Sequence, residues 1–467
     1  KDVTLAAREG FASVEHMKRY TTQGMAPDQG KSSNTGALAV LANATGRTIP
    51  DTGTTTFRPP YVPVSIAALG AGGYGKSYAP ERFTTSHAHS MAMGAQMVEA
   101  GLWYRPSYFP QDGDRHWRDA CNREVLHVRN AVGVCDVSTL GKIDVQGPDA
   151  ARFLDLVYIN TMSTLKPGKV RYGLMLREDG HVMDDGTCAR LAEDHFLITT
   201  TTAAAGEVMR HLDFVHQAFC ADWRLRLGSV TEAWAQFAIA GPQADECLRQ
   251  VLDQFPELPF MGCAGVTCGG IPGRLFRISF SGERGFELAV PARYGADLFA
   301  HLCGIAERAG GGPYGMEALN VLRIEKGFLT HAEIDGRVTA FDLGLQAMMS
   351  TKKEFIGRAA SQRPGLIGAE RQQLVGLRPV DPQAEITAGA HLYPLDKPAR
   401  VPFGQGHTKS VCYSPVMRSW LGLALLRDGR ARHGERLRLE DGLRGRDAEV
   451  EICAPVFFDP DGGRMRD

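Results

Sequence analysis

The order of apolar and polar positions divides the chain into distinct textures. Over residues 1 to about 45, DVTLAAREG, SVEHMKRYTTQGM and TGALAVLANATG carry helix-like apolar spacing between Gly breaks, which predicts a small helical unit. The run IPDTGTTTFRPPYVPVSIAALGAGGYGKSYAPERF is rich in Gly, Pro and Thr and predicts an extended connector, with Pro59, Pro60 and Pro63 forbidding a helix there. From Trp103 to about Leu366, short β-branched runs (GKIDVQG, HFLITT, AQFAIAG, RLFRISF, FELAVPA) alternate with helical patterns such as DAARFLDLV and AAGEVMRHLDFVHQAF, an α/β or α+β body. Past about residue 371 helical patterns become scarce. There QLVGLRPVD, SWLGLALL, ERLRLED and AEVEICA read as the strands of a compact β-domain.

Two stretches of the central body resemble each other. DVQGPDAARFL and AIAGPQADECL each read strand, Gly-Pro, then amphipathic helix, so an internally duplicated sheet-and-helix unit is expected. Between them HVMDDGTCARL, following MLREDG, reads as the second half of a β-hairpin bearing two adjacent acids, Asp184 and Asp185. Successive strand side chains point to opposite faces, so one carboxylate is expected to face water and the other whatever the sheet covers.

Bulk properties narrow the function classes. A length of 467 residues corresponds to two to four domains at roughly 150 residues each. Lys and Arg number 52 against 53 Asp and Glu, so no global field favours nucleic acid or an anionic membrane, and a small-molecule substrate is expected. No apolar run approaches the roughly 18 residues of a membrane span, and no secretory signal pattern opens the chain, which makes a soluble cytoplasmic protein the expectation. The ten cysteines are scattered without CxxC pairs and read as small buried residues in a reducing compartment. The opening KDVTLAAREGF lacks Met and starts in mid-helix by its pattern, as a fragment or a processed chain would.

One nucleotide motif fails its context. GAGGYGKS, Gly70 to Ser77, matches the phosphate-loop pattern, whose chemistry requires a buried strand before it and a helix beginning at Lys-Ser. Here VPVSIAAL is a poor strand and Pro80 follows closely, so a Gly-rich linker is expected instead of an ATPase. His87 and His89 in TTSHAHS read as a polar loop, since one intervening residue does not make a metal site.

The segment VGVCDVSTLGKIDVQGPDAARFLDLVYINTMSTLKPGKVRYGLMLREDGHVMDDGTCARL closely resembles the start of the aminomethyltransferase family, the T-protein of glycine cleavage. The likeness continues in RISFSGERGFELAVPA, MEALNVLRIEKGF and GHTKSVCYSP, covering roughly residues 100 to 460. It implies an α+β, T-protein-like folate-binding fold with duplicated sheet-and-helix units, a C-terminal β-barrel domain and an N-terminal helical segment. The expected boundaries are 1–95, 96–370 and 371–467. EGFASVEHMKRYTTQGMAPDQGKSSN and GTTTFRPPYVPV look like the linker in the α-subunit family of heterotetrameric sarcosine oxidases. That resemblance implies tetrahydrofolate as the cofactor of this part. It also implies NAD and flavin (FAD or FMN) elsewhere in a complex with β, γ and δ subunits, and capture of a one-carbon fragment as 5,10-methylenetetrahydrofolate.

Site residues carry over position by position. Asp185 matches the family's essential aspartate and is expected to look into the folate channel, with Asp184 facing outward or into the hairpin. A carboxylate there would accept a proton and stabilise cationic character. Glu287 in GERGFEL matches the pterin-binding glutamate, whose carboxylate takes two parallel N–H bonds, with Glu283 as its rival. Thr200 in FLITTTT stands where the family has a polar pterin contact, and Arg323 matches a family arginine although Leu319 replaces a second one. Phe280 replaces a tyrosine of the T-protein's GYTGE, leaving a stacking face; Tyr172 is expected either to restore the hydroxyl or to be structural. Lys18, Arg19, Lys31 and Arg58 could grip a flavin phosphate or lie in a solvated linker. Alternatives are a demethylase or aminomethyltransferase for another methylamine such as dimethylglycine, and a non-catalytic folate-binding assembly factor. The latter relatives are marked by KGCYxGQE, where this chain has EKGFLTHAEIDG.

Overall fold

The computed structural model describes residues 1–59, 62, 64–70, 80–368 and 370–467. Of the phosphate-loop motif only Gly70 lies among them; residues 71–79 lie outside. The chain forms two compact units, Lys1–Pro80 and Glu81–Asp467. In the first, helices Asp2–Arg8, Val14–Tyr20 and Asn34–Thr45 meet around Ala6, Met17, Leu38 and Leu41. The connector differs from the extended chain expected: it holds short helices at Ile49–Thr52 and Ile66–Leu69. Thr48 caps the first by accepting from the Asp51 amide, and Pro50 sits in its first turn, where its missing N–H has no cost. Lys18 is buried and donates to the Thr56 carbonyl, while Arg19 pairs with Glu15 at 3.1 Å, so these two of the four phosphate candidates have partners inside the unit.

The second unit contains the predicted duplication. The first half makes a five-stranded sheet in the order Lys169–Leu176, Val182–Ala192, His195–Thr200, Gly141–Gln146, Arg226–Ser229. The second half repeats that order with Cys263–Cys268, Ile271–Phe276, Gly285–Pro291, Trp234–Ala240 and Gly312–Pro313, and inserts Gly133–Asp136 before the last. In each half the strand that starts the repeat ends in a Gly-Pro turn leading to a helix, Ala150–Val157 or Ala244–Arg249. Gly147 and Gly241 share φ of 132° and 134°, and a Cβ on either would come within 2.3 Å or 2.4 Å of the Arg224 or Ala131 carbonyl oxygen. Both positions therefore demand glycine.

The outer face of the first sheet, with Ile143, Cys188 and Ile198, is covered by Phe153, Leu154, Val208 and Leu212 of its helices. Its inner face packs on the second sheet, where Val170, Ala189 and Leu197 meet Cys263, Phe276 and Ala289. Six strands between Gln372 and Cys453 close into a barrel. The helix Met316–Glu325 ties this barrel to the body: Arg323 pairs with Glu333 at 2.8 Å and donates to Ser410 at 2.6 Å, and Ser414 donates to Glu325.

Nine of the ten cysteines are buried and none forms a disulfide. His87 lies in a helix, His87–Ala92, and not in the loop expected. Among the described residues no group of three or more His, Cys, Asp or Glu is arranged to hold a metal ion, and no helix is long and apolar enough to cross a membrane.

Candidate functional site

Strand alternation fixes which side chains enter the space between the two sheets. On Val182–Ala192, Asp185 and Thr187 share a face with Ala189, which is part of the inter-sheet core; Asp184 shares the opposite face with Cys188, under the helices. Both faces are covered, so both acids are buried, and the outward Asp184 expected from the sequence is corrected. Asp184 accepts from the Thr201 amide at 3.1 Å and its hydroxyl at 2.9 Å. Burial raises its pKa to about 7, and the neighbouring Asp185 charge adds to this. Asp185 accepts from the Tyr172 hydroxyl at 2.7 Å. Burial raises it to about 6, against the lowering effect of that hydrogen bond. Neither carboxylate has an ion-pair partner among the described residues.

The second sheet supplies Glu287, two residues from Ala289 on the same inner face. Gln236, on the adjacent strand, shares that face and donates its amide N–H to the Glu287 carboxylate. From the first sheet, Lys142 pairs in register with Thr199 and is fully buried, donating to the Ser138 and Leu140 carbonyls at 2.8 and 3.0 Å. Burial lowers Lys142 to about 8, opposed by the charges of Glu287 and Asp136. Arg105, which donates to the Asp136 carbonyl at 2.9 Å, is a second buried cation. Burial raises the Glu287 carboxyl, while Gln236, Lys142 and Arg105 act the other way. Two buried acceptors here have no protein partner among the described residues: Gln236 Oε1, and Asn160 Oδ1, whose amide donates to the Tyr172 carbonyl.

Asp185, Tyr172 and Glu287 thus face the inter-sheet space. Thr200 does not: it lies on the helix side, close to Gly141 and Ala205, and donates to the Thr201 carbonyl. Its neighbour Thr199 occupies the inner face and bonds Thr187 at 2.8 Å. Glu283 is clamped by Arg129 at 2.7 Å and Arg464 at 2.9 Å, and Arg323 is engaged by Glu333 and Ser410, so both are held by partners within the protein. Phe280 is partly exposed and stacks on Phe328 with centroids 5.7 Å apart. Lys142, Gln236 and Arg105 escaped the sequence reading. A lone glutamine inside the apolar strand WAQFAIA was the available signal, since an uncompensated buried amide is costly.

Comparison with known proteins now bears on this arrangement. The GCVT N-terminal domain family matches residues 86–353, the glycine cleavage T-protein C-terminal barrel domain matches 372–459, and the sarcosine oxidase A3 domain matches 1–73. An aminomethyltransferase of Mycobacterium bovis is 30% identical over 372 residues, 78% of this chain and 94% of the relative. The crystal structure of aminomethyltransferase T from Bartonella henselae shares the fold at a TM-score of 0.70 and 24% identity, covering 81% of this chain and 98% of that one. The chain belongs to the aminomethyltransferase, or glycine cleavage T-protein, family. More particularly, it is 48% identical over 471 residues to sarcosine oxidase subunit alpha of Rhizobium meliloti, a match spanning all of this chain and 48% of that relative. The same subunit of Corynebacterium sp. strain U-96 is 39% identical. The chain spans about half the length of these curated relatives.

Proposed function

We propose that this chain is the tetrahydrofolate-handling part of a sarcosine oxidase α subunit. In this reading sarcosine is oxidised elsewhere in the complex, flavin passes its two electrons to oxygen as hydrogen peroxide, and the methyl carbon is captured here, leaving glycine. Flavin and NAD are assigned to the rest of the α subunit and to β, γ and δ partners, in the cytoplasm. The likeness along the whole chain to the Rhizobium meliloti α subunit supports the assignment. The observation that carries it is Asp185, a buried carboxylate with no cationic partner, held by Tyr172 on the inner face that Glu287 also lines.

These residues fit a reduced pterin. Glu287 can accept two parallel N–H bonds from an aminopyrimidine edge, and the orphaned acceptors Gln236 Oε1 and Asn160 Oδ1 call for further donors. When bound, tetrahydrofolate supplies the nucleophilic nitrogens that take up the one-carbon unit. Asp185 would receive the proton released at those nitrogens; a carboxyl raised to about 6 is a better base near neutral pH than an ordinary aspartate. Tyr172 fixes which oxygen is free, because its hydroxyl occupies Oδ2. The two packed sheets exclude water, which would otherwise hydrolyse the captured carbon to formaldehyde.

In the assembled enzyme, Asp185→Asn should lower 5,10-methylenetetrahydrofolate formation about 100-fold or more, the ordinary weight of a general base, with peroxide formation nearly intact and formaldehyde replacing the folate product. A parallel collapse of both activities in a folded enzyme would overturn the assignment.

A further inference from the structure

Gln236 is the residue in this site whose chemistry is half used. It is 1% exposed, lies on an otherwise apolar strand and turns its N–H toward Glu287, the only orientation in which an amide can pair with a carboxylate. Its carbonyl oxygen must then face away, and it is buried with no protein donor. The cations nearby do not take it up: Lys142 donates to two backbone carbonyls, and Arg105 gives one Nη to the carbonyl of Asp136 while its Nε is left without a partner among the described residues. A buried acceptor left unpaired costs stability, so an amide kept at this point is better explained by a ligand than by folding.

We infer that Gln236 is a specificity-determining residue of the pterin site, its carbonyl oxygen accepting the second N–H of the 2-amino group whose first N–H is taken by Glu287. This deepens the folate reading above and rests on it. The geometry is that of a two-acceptor clamp. Glu287 and Gln236 stand diagonally on neighbouring strands, with Glu287 opposite Ala238 and Gln236 opposite Ala289, so both side chains leave the same face. The amide N–H holds the carboxylate in place, and the amide oxygen extends the row of acceptors by one. An exocyclic amine has two hydrogens to give, whereas a 2-desamino ring has none at that position.

The test uses the full-length enzyme in its complex and two stable ring analogues, 5,8-dideazafolate and its 2-desamino form, titrated by calorimetry. Gln236→Met keeps the volume and removes both the acceptor and the N–H that holds Glu287. The preference for the 2-amino ligand should fall about tenfold in this variant, the weight of one hydrogen bond to a buried group. Gln236→Glu, sharing a proton with Glu287, restores both a donor O–H and an acceptor oxygen and should keep most of that preference, which a merely volume-filling role would not predict. Equal weakening of both ligands by Gln236→Met, or no change, would overturn the inference while leaving the folate site standing. Failure of the unaltered enzyme to bind either analogue would overturn the folate reading itself, and this inference with it.

Discussion

In the first half of the duplicated body, Asp184 and Asp185 sit on the second hairpin strand and, among the described residues, are met only by hydroxyls and an amide. In the second half, Glu283 precedes the Gly285–Pro291 strand and is held by Arg129 and Arg464, while Arg129 also grips Glu325 at 2.6 Å. The two halves share strand order and the Gly-Pro turn, yet the hairpin acids of the first are buried without an ion pair, whereas Glu283 of the second is buried with two arginines. A buried carboxylate with its cation is a structural element whose loss strands a charge. One without raises its own pKa and stands ready to take a proton. The duplication therefore supplied two equivalent scaffolds, and the placement of arginine marks which acids hold the fold.

The contrast breaks most sharply at Glu325. Glu325→Ala should destabilise the protein by about 3–5 kcal/mol in chemical denaturation, because it leaves Arg129 with one buried partner fewer. Asp185→Asn should do the reverse. A carboxyl raised from 3.8 to about 6 on folding binds its proton more tightly in the native state, so its contribution to stability is lost as pH rises between those values. Compared with the unaltered protein, Asp185→Asn should gain on the order of 2 kcal/mol as pH passes from about 4 to above 6, with a flat difference beyond. Stability that falls with Asp185→Asn at neutral pH would erase the distinction between the two kinds of acid. The smallest effect tests the shared scaffold: Gly147→Ala and Gly241→Ala should each cost about 1–3 kcal/mol, and by similar amounts, if the two turns are equivalent. A large loss at one and none at the other would show the repeat to be superficial.

The Gly-Pro turns were legible because the positive φ is a local demand written into the turn, although the carbonyls that crowd Gly147 and Gly241 come from the distant Arg224 and Ala131. Asp185 and Glu287 were singled out by resemblance and lie on the inner faces of the two sheets, and strand alternation separated Asp185 from Asp184. Alternation also misled, because it was read with water on one face, whereas this sheet has helices on one side and a second sheet on the other. Thr200 failed by a single step of the same period, with Thr199 on the inner face. Lys142, Gln236 and Glu287 could not be joined from sequence, since 94 residues separate Lys142 from Gln236, and only sheet packing brings them together. The paired arginines were equally hidden: Arg129 meets partners 154 and 196 residues away.

The helix Met316–Glu325 has a bearing on how such a protein can be inherited. Within three residues it gives Arg323 to Glu333 and Ser410, and Glu325 to Arg129 and Ser414, so its last turn is answered by side chains from the body and from the barrel alike. A gene rearrangement that exchanged the barrel at a seam near residue 371 would remove Ser410 and Ser414 and leave the charges they serve without those hydrogen-bond partners. Body and barrel are thus bound to change together, and a transplanted barrel would have to bring both serines with it.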